Sequence, residues 1–201
     1  CLDRVRDAIA HHAMAGAGDR ILVAVSGGQD SICLLHILLA LGYPVEIAHF
    51  DHMTRDGAST QDARFVKTLA ESLGVSCHST AEPIEHDAGA SSLSFEAYAR
   101  RQRYAFFVLT ARERGCAAVA TGHHGDDVVE TLLFRLVRGT TVQGLAGIPA
   151  VADRDGVRII RPLLTCRRAD IAAYVAACGL EFRHDVTNRE ERYVRNRIRH
   201  S

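Results

Sequence analysis

The fold follows from one stretch, ILVAVSGGQDSICLL, which runs from Ile21 to Leu35. It opens with apolar residues rich in β-branched types, a composition typical of a buried parallel strand. The apolar run Ile32–Leu41 predicts a buried helix after it. Between them, two adjacent glycines let a ligand approach the backbone, and the hydroxyls of Ser26 and Ser31 stand beside the free N–H groups of a helix N-terminus. The stretch therefore predicts a phosphate-binding turn.

Two common phosphate-binding loops do not fit this turn. A Walker A loop needs a lysine before serine or threonine, but the only lysine of the chain is Lys67, far along the sequence. The pattern Gly-x-Gly-x-x-Gly is also missing, because the glycines are adjacent and Asp30 follows them. A carboxylate in an anion site is consistent with Mg²⁺, which accepts carboxylate and phosphate oxygens together. We therefore expect a triphosphate with Mg²⁺, and Asp30 as its metal ligand.

The composition indicates one soluble domain. Of the 201 residues, 47% are apolar and 24% are charged, which is enough for one sizeable core. No apolar run approaches the roughly 18 residues of a membrane span, and no signal peptide is recognisable, so a cytoplasmic location is expected. The net charge is zero, so a surface for nucleic acid must be local. The chain begins at Cys1 and stops after a basic run, which suggests part of a longer protein.

The six cysteines are scattered and include no Cys-x-x-Cys pair. Several fall in apolar strand or helix patterns, where a reduced and buried thiol is the usual state. We therefore expect neither disulfide bonds nor an iron–sulfur cluster.

Strand and helix patterns alternate along most of the chain. After a leading helix within residues 1–15 and the opening strand and helix, we predict strands at Val45–Phe50, Val75–His78 and Ala117–Thr121 and helices at 59–73, 94–114 and 126–137. Ser59 is the expected cap of the helix ending at Leu73, Thr165 that of the helix ending at Cys178, and residues 80–93 are expected to form a loop. The alternation predicts an α/β fold with a doubly wound parallel sheet, which binds ligands at the carboxyl ends of its strands.

The residue composition of the sequence changes after residue 138. Glycines and threonines follow, and Asp153–Gly156 is typical of a hairpin turn leading into a strand at Val157–Ile160. We predict a nucleotide-binding core at residues 1–147 and a hairpin and helical extension of the same domain at 148–201.

A second informative cluster is Gly122–Asp127 (GHHGDD), followed one turn later by Glu130. It lies between the fourth strand and the next helix, at the same carboxyl edge of the sheet as the phosphate-binding turn. Asp127 and Glu130 share a helix face, so they can bind a cation, hold an amine or act as a base. Asp126 points elsewhere and fits an N-cap equally well. A zinc site at His123 and its neighbour fits poorly, because adjacent histidines seldom converge on one metal.

Two further clusters bring polar groups towards the same edge. His49–His52 ends the second strand and can contact a nucleotide base or ribose, although local hydrogen bonds explain it equally well. Arg100 and Arg103 lie one turn apart on the long helix and can pair with phosphate or nucleic acid, although a solvated helix face explains each of them as well.

The turn SGGQDS matches the pyrophosphate loop of the N-type ATP pyrophosphatases, and the motifs together resemble the tRNA(Ile)-lysidine synthase family over nearly the whole chain. The matching motifs are Ser26–Ser31, His49–His52, Ala99–Phe107, Thr121–Thr131, Arg138–Gly147, Arg161–Leu164, Asp185–Asn188 and Arg195–Arg199. The first motif marks only the PP-loop superfamily. The run His-His-x-Asp-Asp-x-x-Glu-Thr, with the endings Asp-x-Thr-Asn and Arg-Asn-x-Ile-Arg, is more specific.

The resemblance implies that residues 1–147 are a PP-loop ATP pyrophosphatase core. The family adenylates the wobble cytidine of tRNA(Ile) with a CAU anticodon and joins L-lysine to C2 of that base, which yields lysidine, AMP and pyrophosphate. ATP and Mg²⁺ are the implied cofactors, and a homodimer is compatible with the resemblance. In this family, further domains usually follow the catalytic one and help to grip tRNA.

The resemblance also implies roles for individual residues. Catalysis is expected from Asp30, Asp127, Glu130, His123 and Arg103, with Asp30 serving the metal. Nucleotide binding is expected from Ser26, Gly27, Gly28, Gln29, Asp30, Ser31, His49, Asp51 and His52. Contacts to tRNA are expected from Arg100, Arg195, Asn196, Arg197 and Arg199.

Three other functions stay open at this point. A cytidine thiolase of the same fold would carry Cys-x-x-Cys pairs for a cluster, which this sequence lacks. A nucleotide-binding module without catalysis would lack acids such as Asp127 and Glu130. An amidotransferase-linked synthetase would need an ammonia source, which the sequence does not show.

Overall fold

A computed structural model of the chain describes residues 1–51, 58–81, 95–139 and 146–183. Within these ranges, strands β1 to β6 span Ile21–Ala24, Val45–Asp51, Cys77–Ala81, Ala118–Ala120, Val151–Arg154 and Val157–Ile160. Helices α1 to α6 span Leu2–His11, Gln29–Ala40, Ala58–Leu73, Phe95–Glu113, Gly125–Arg138 and Arg168–Ala177. None of the helices in the described part is long and apolar enough to cross a membrane.

The six strands form one sheet in the order β3-β2-β1-β4-β6-β5. All neighbouring pairs are parallel except β5 and β6, which form an antiparallel hairpin where the sequence predicts one. Strand β2 pairs with one side of β1, and β4 pairs with the other side. The loops that follow β1 and β4 therefore diverge and open a crevice at the carboxyl edge of the sheet. The predicted doubly wound α/β sheet is confirmed.

Helices cover both faces of the sheet because alternate residues of each strand point to opposite faces. Ile21 and Val23 belong to the larger core, which includes the buried residues of α1, α2 and α6. Leu22 belongs to a second core with Tyr104 and Phe107 of α4. The strand and helix on either side of the phosphate-binding turn are thus both buried, which fixes the position of the turn.

The structure corrects several predicted element ends. Helix α3 begins at Ala58, so that Ser59 lies inside it, and β3 begins at Cys77 rather than Val75. Because β3 runs to Ala81, the predicted loop at 80–93 cannot begin before residue 82, and its remaining residues lie outside the described part.

The prediction that Thr165 caps the last helix is wrong. Thr165 ends a 3-10 turn that begins at Pro162, whose fixed φ favours such a start. Helix α6 begins three residues later, and the carboxylate of Asp170 accepts the N–H of Arg167 at 2.9 Å. A carboxylate in the first turn thus takes the capping role expected of the hydroxyl.

A cluster of charged side chains surrounds the buried Glu46 at the amino edge of the sheet. Glu46 of β2 accepts hydrogen bonds from His78 Nε2 at 2.7 Å and from Arg114 Nε at 2.9 Å. Burial alone would raise the pKa of Glu46, but the hydrogen bonds from Arg114 and His78 outweigh it and hold this pKa below its ordinary value. The charges of this edge therefore satisfy one another.

Candidate functional site

The turn after β1 is held by backbone geometry that requires glycine. Gly27 has φ +93°, and a Cβ on it would lie 3.5 Å from the Phe65 ring. Its carbonyl accepts the N–H of Arg183 at 2.9 Å. Gly28 then provides the N-cap of α2. The backbone N–H groups of the next residues, Gln29 and Asp30, lie in the first helical turn and have no partner within the helix, which is the arrangement that binds an anion.

The two serine hydroxyls of the turn interact mainly with the turn itself. Ser31 Oγ donates to the Gly28 carbonyl at 2.8 Å and accepts the N–H of Ser26 at 3.2 Å. Ser26 Oγ accepts the N–H of Gly28 at 3.3 Å. Ser31 therefore braces the turn with its only proton, so Ser26 is the donor in the 3.3 Å contact between the two hydroxyls. The exposed Ser26 can turn its hydroxyl to a ligand by giving up that long contact.

The acidic motif after β4 faces this turn across the crevice. A Cβ on Gly122 would come within 3.3 Å of the backbone of Asp30 and Ser31, so the two segments are in close contact. His124 Nε2 lies 3.6 Å from Asp30 Oδ2. Two motifs more than ninety residues apart in the sequence therefore share one site, as expected from the positions of β1 and β4 in the sheet.

His124 lies at the centre of three carboxylates. Its side chain is 1% exposed, and it lies 3.6 Å from Asp30, 3.6 Å from Asp126 and 3.8 Å from Asp127. Burial by itself would lower the pKa of His124, but the attraction of the three nearby carboxylates outweighs it and raises the pKa above its ordinary value.

His123, the preceding residue, has the opposite environment. Its Nδ1 lies 2.9 Å from Thr121 Oγ1. Burial, with the positive charges of Arg161, Arg100 and Arg103, lowers the pKa of His123 to about 4, against the attraction of Asp127. His123 is therefore neutral near pH 7 and can hydrogen-bond a ligand without adding charge.

Two of the acids cap helices. Asp127 Oδ2 accepts the N–H of His124 at 2.9 Å and so caps α5. Asp126 Oδ2 accepts the N–H of Arg168 at 2.8 Å, at the start of α6. The prediction that Asp126 is the N-cap of its own helix is therefore wrong, because His124 is the N-cap of α5 and Asp126 lies in its first turn. Glu130 is half-buried on α5, one turn beyond Asp127.

Some buried polar atoms of the described part have no hydrogen-bond partner, and they gather at this edge. His49 Nδ1 hydrogen-bonds the Val25 carbonyl at 2.8 Å and therefore carries the proton, which leaves Nε2 as an acceptor without a partner. Asp30 Oδ1 and His124 Nδ1 are also without a partner. Asp51 is buried at the end of β2, and His52 lies outside the described residues.

The described residues can hold a metal ion only with help from a ligand. No group of three or more histidine, cysteine, aspartate or glutamate side chains among them is arranged so that it could hold a metal ion by itself. Asp30 Oδ1 is a buried carboxylate oxygen without a partner, which suits a hard cation that takes its other ligands from phosphate and water. The residues present fit Mg²⁺ delivered with a nucleotide.

One residue of the site carries no role in the sequence analysis. Arg161 follows β6 at the same edge, is 6% exposed, and donates from Nη1 to the Pro149 carbonyl at 2.6 Å. Its position directly after a strand is the signal that could have identified it. By contrast, the expected tRNA contacts Arg195, Asn196, Arg197 and Arg199 lie outside the described residues and stay predictions.

Comparison with known proteins agrees with this geometry. A family model described as a PP-loop domain matches residues 3–201. Proteins named tRNA(Ile)-lysidine synthase are similar, at 45% identity over 98% of this chain in Symbiobacterium thermophilum and 43% over 99% in Geobacter sulfurreducens. The chain spans 42% of the length of each of these relatives.

Solved structures show the same fold at low sequence identity. The U34-tRNA thiolase NcsA of Methanococcus maripaludis has a TM-score of 0.72 and 16% identity, with 90% of this chain and 63% of that chain covered. The NH3-dependent NAD synthetase of Campylobacter jejuni has a TM-score of 0.59 and 15% identity, with 92% and 77% covered. With the family model matching nearly every residue, we conclude that the chain belongs to the PP-loop domain family.

Proposed function

We propose that this chain is the ATP-dependent catalytic domain of a cytoplasmic tRNA(Ile)-lysidine synthase. It would adenylate the wobble cytidine of a CAU anticodon and then join L-lysine to C2 of that base, with release of AMP and pyrophosphate. The observation that carries the proposal is the short distance between the phosphate-binding turn and the start of α5, where His124 lies 3.6 Å from Asp30. The similarity to proteins of that name along the whole chain supports the same reaction.

The first half of the reaction needs an anion site and a leaving group. The C2 oxygen of cytosine leaves poorly, and its adenylation turns it into a good leaving group. The backbone N–H groups of Gln29 and Asp30 at the start of α2 would face the charge that develops on pyrophosphate, and preorganised donors of this kind stabilise such charge. Bound at Asp30, Mg²⁺ would neutralise part of the phosphate charge.

The second half of the reaction needs a neutral amine. Asp127 and Glu130 lie one turn apart on α5, so their carboxylates can hold the ε-ammonium group of lysine and take its proton before attack. His123 is neutral near pH 7 because its pKa is lowered to about 4, so it can hydrogen-bond the cytosine without repelling the ammonium group of lysine.

The test is the mass of the anticodon nucleoside. The protein is incubated with ATP, Mg²⁺, L-lysine and tRNA(Ile) bearing the CAU anticodon, and the digested tRNA is analysed by mass spectrometry. We expect cytidine at the wobble position to gain one lysine with loss of one water, with AMP and pyrophosphate formed in equal amounts. A tRNA with uridine at that position is the matched control. Sulfur incorporation, or no change of mass, would overturn the proposal.

A further inference from the structure

Three arginine side chains surround the ring of Tyr104, a buried residue of α4. The guanidinium carbon of Arg154 lies 4.5 Å from the ring centroid, that of Arg100 5.3 Å, and that of Arg103 6.0 Å. Arg100 and Arg103 come from α4, whereas Arg154 comes from the edge strand β5. Two separate elements therefore bring positive charge to one aromatic platform.

These charges are not compensated within the described part of the chain. No salt bridge among the described residues involves Arg100, Arg103, Arg154 or Arg161, whereas Arg114 pairs with Glu46 at the other edge of the sheet. Tyr104 is 2% exposed and its hydroxyl has no partner, and Arg161 is 6% exposed with an unpartnered Nε. Like charges brought together beside unsatisfied donors favour an anion from outside the chain.

The arginine cluster is continuous with the candidate site. Arg161 directly follows Ile160, whose carbonyl accepts the N–H of Thr121 at 3.0 Å, so it lies beside the strand end that carries the half-buried His123. The charges of Arg161, Arg100 and Arg103 all act on that histidine. From there the cluster extends along α4 to Arg154 on β5, the last strand of the sheet. An anion that spans these positions must carry several charges in a row, as the backbone of a nucleic acid does.

We propose that Arg100, Arg103, Arg154 and Arg161 form a basic track that binds successive phosphates of the RNA strand whose target nucleotide enters the crevice. The inference rests on the proposed function and names the surface through which that RNA is positioned. A guanidinium group can form two parallel hydrogen bonds with a phosphate, and the cation–π contacts with Tyr104 restrict where these groups lie. Such contacts position the RNA without reading its sequence.

The decisive variant is Arg154→Gln, because Arg154 lies on β5 and outside the phosphate-binding turn. Its matched control is Arg101→Gln, an exposed arginine on α4 that is not one of the three over the Tyr104 ring. Binding of the tRNA(Ile) anticodon stem-loop is measured by fluorescence anisotropy between about 50 and 200 mM KCl. We expect Arg154→Gln to weaken binding about five- to tenfold and to reduce the slope of log Kd against log[KCl] by about 0.7 to 0.9.

The effect should be equal for a stem-loop of scrambled loop sequence, and ATP affinity should not change. Arg101→Gln should stay within about twofold of the parent in RNA affinity. Arg100→Gln, at an exposed position where folding is not at risk, should reproduce the reduced salt slope.

Three outcomes would overturn the proposal: an unchanged slope in both variants, an equal loss in Arg101→Gln, or a parallel loss of ATP affinity, which would assign the arginines to the triphosphate. Failure of the proposed function would look different, because the RNA would then bind with the expected slope but gain no lysine.

Discussion

The candidate site has an acidic flank around His124 and a basic flank around His123, and these two residues are adjacent in the sequence. The acidic flank is the environment of His124, formed by the carboxylates of Asp30, Asp126 and Asp127. The basic flank is the environment of His123, formed by the guanidinium groups of Arg100, Arg103 and Arg161. The pKa of His124 is raised, whereas that of His123 is lowered to about 4. Carboxylates from the phosphate-binding turn and from the start of α5 together raise the pKa of His124, whereas burial first and the arginine charges second lower the pKa of His123.

This division matches the two ligand classes of the proposed reaction. Carboxylates suit a metal ion and the ammonium group of lysine, and guanidinium groups suit phosphates. An electrostatic potential of one sign across the crevice could not hold both kinds of ligand. A positive potential would repel the cations, and a negative potential would repel the phosphates. Changes on the acidic flank should therefore affect the chemistry, and changes on the basic flank should affect the binding of RNA.

The largest effect on the acidic flank is expected from Asp127→Asn. Asparagine keeps an oxygen that can accept the N–H of His124 and so preserves the cap of α5, but it loses the negative charge and the basicity. We expect lysine transfer to fall by about 100-fold or more, while ATP affinity stays nearly unchanged. Lysine incorporation and calorimetric ATP binding measure the two quantities separately.

The control for this variant is Asp153→Asn, an exposed acid in the β5–β6 hairpin, which should leave lysine transfer unchanged. If Asp127→Asn instead abolished ATP binding, Asp127 would belong to the metal site, and the division of labour between Asp30 and Asp127 would be wrong.

Much of this site can be predicted from the sequence, because its parts are local. The turn Ser26–Ser31 and the motif Gly122–Asp127 each follow a buried strand, and a parallel sheet brings the ends of its strands to one edge. The contact between Asp126 and Arg168 could not be predicted, since the two residues are 42 positions apart and meet only once α6 is docked. The pKa values of His123 and His124 likewise depend on packing, because their sequence context is nearly the same.

A smaller effect, visible without substrate, is the separate titration of the two histidines. We expect NMR to show His123 titrating near pH 4 and His124 above its ordinary pKa. His123 then favours folding fully above about pH 6.5, and this contribution is lost as the pH falls towards 4, because only the unfolded chain binds the proton in that range. His124 contributes in the opposite sense: its share is present below about pH 6.5 and is lost as the pH rises through its raised pKa.

Arg161→Gln sharpens this measurement, since removing one guanidinium group from the basic flank should raise the pKa of His123 and leave that of His124 nearly unchanged. Two histidines that titrate together near 6.5, in the parent or in the variant, would show that the two flanks are not electrostatically distinct.

The smallest effect is expected at Asp126, whose contact is structural. Asp126→Ala removes the acceptor for the N–H of Arg168 at the start of α6 and should lower the free energy of unfolding by about 1 kcal/mol, measured by urea denaturation. Asp126→Asn keeps an oxygen at that position and should cost about half as much or less. Because Asp126 holds α6 rather than a substrate, lysine transfer per folded molecule should fall by less than about threefold in both variants. A loss as large as that of Asp127→Asn, without a change in stability, would make Asp126 part of the chemistry and the acidic flank a set of three acting carboxylates.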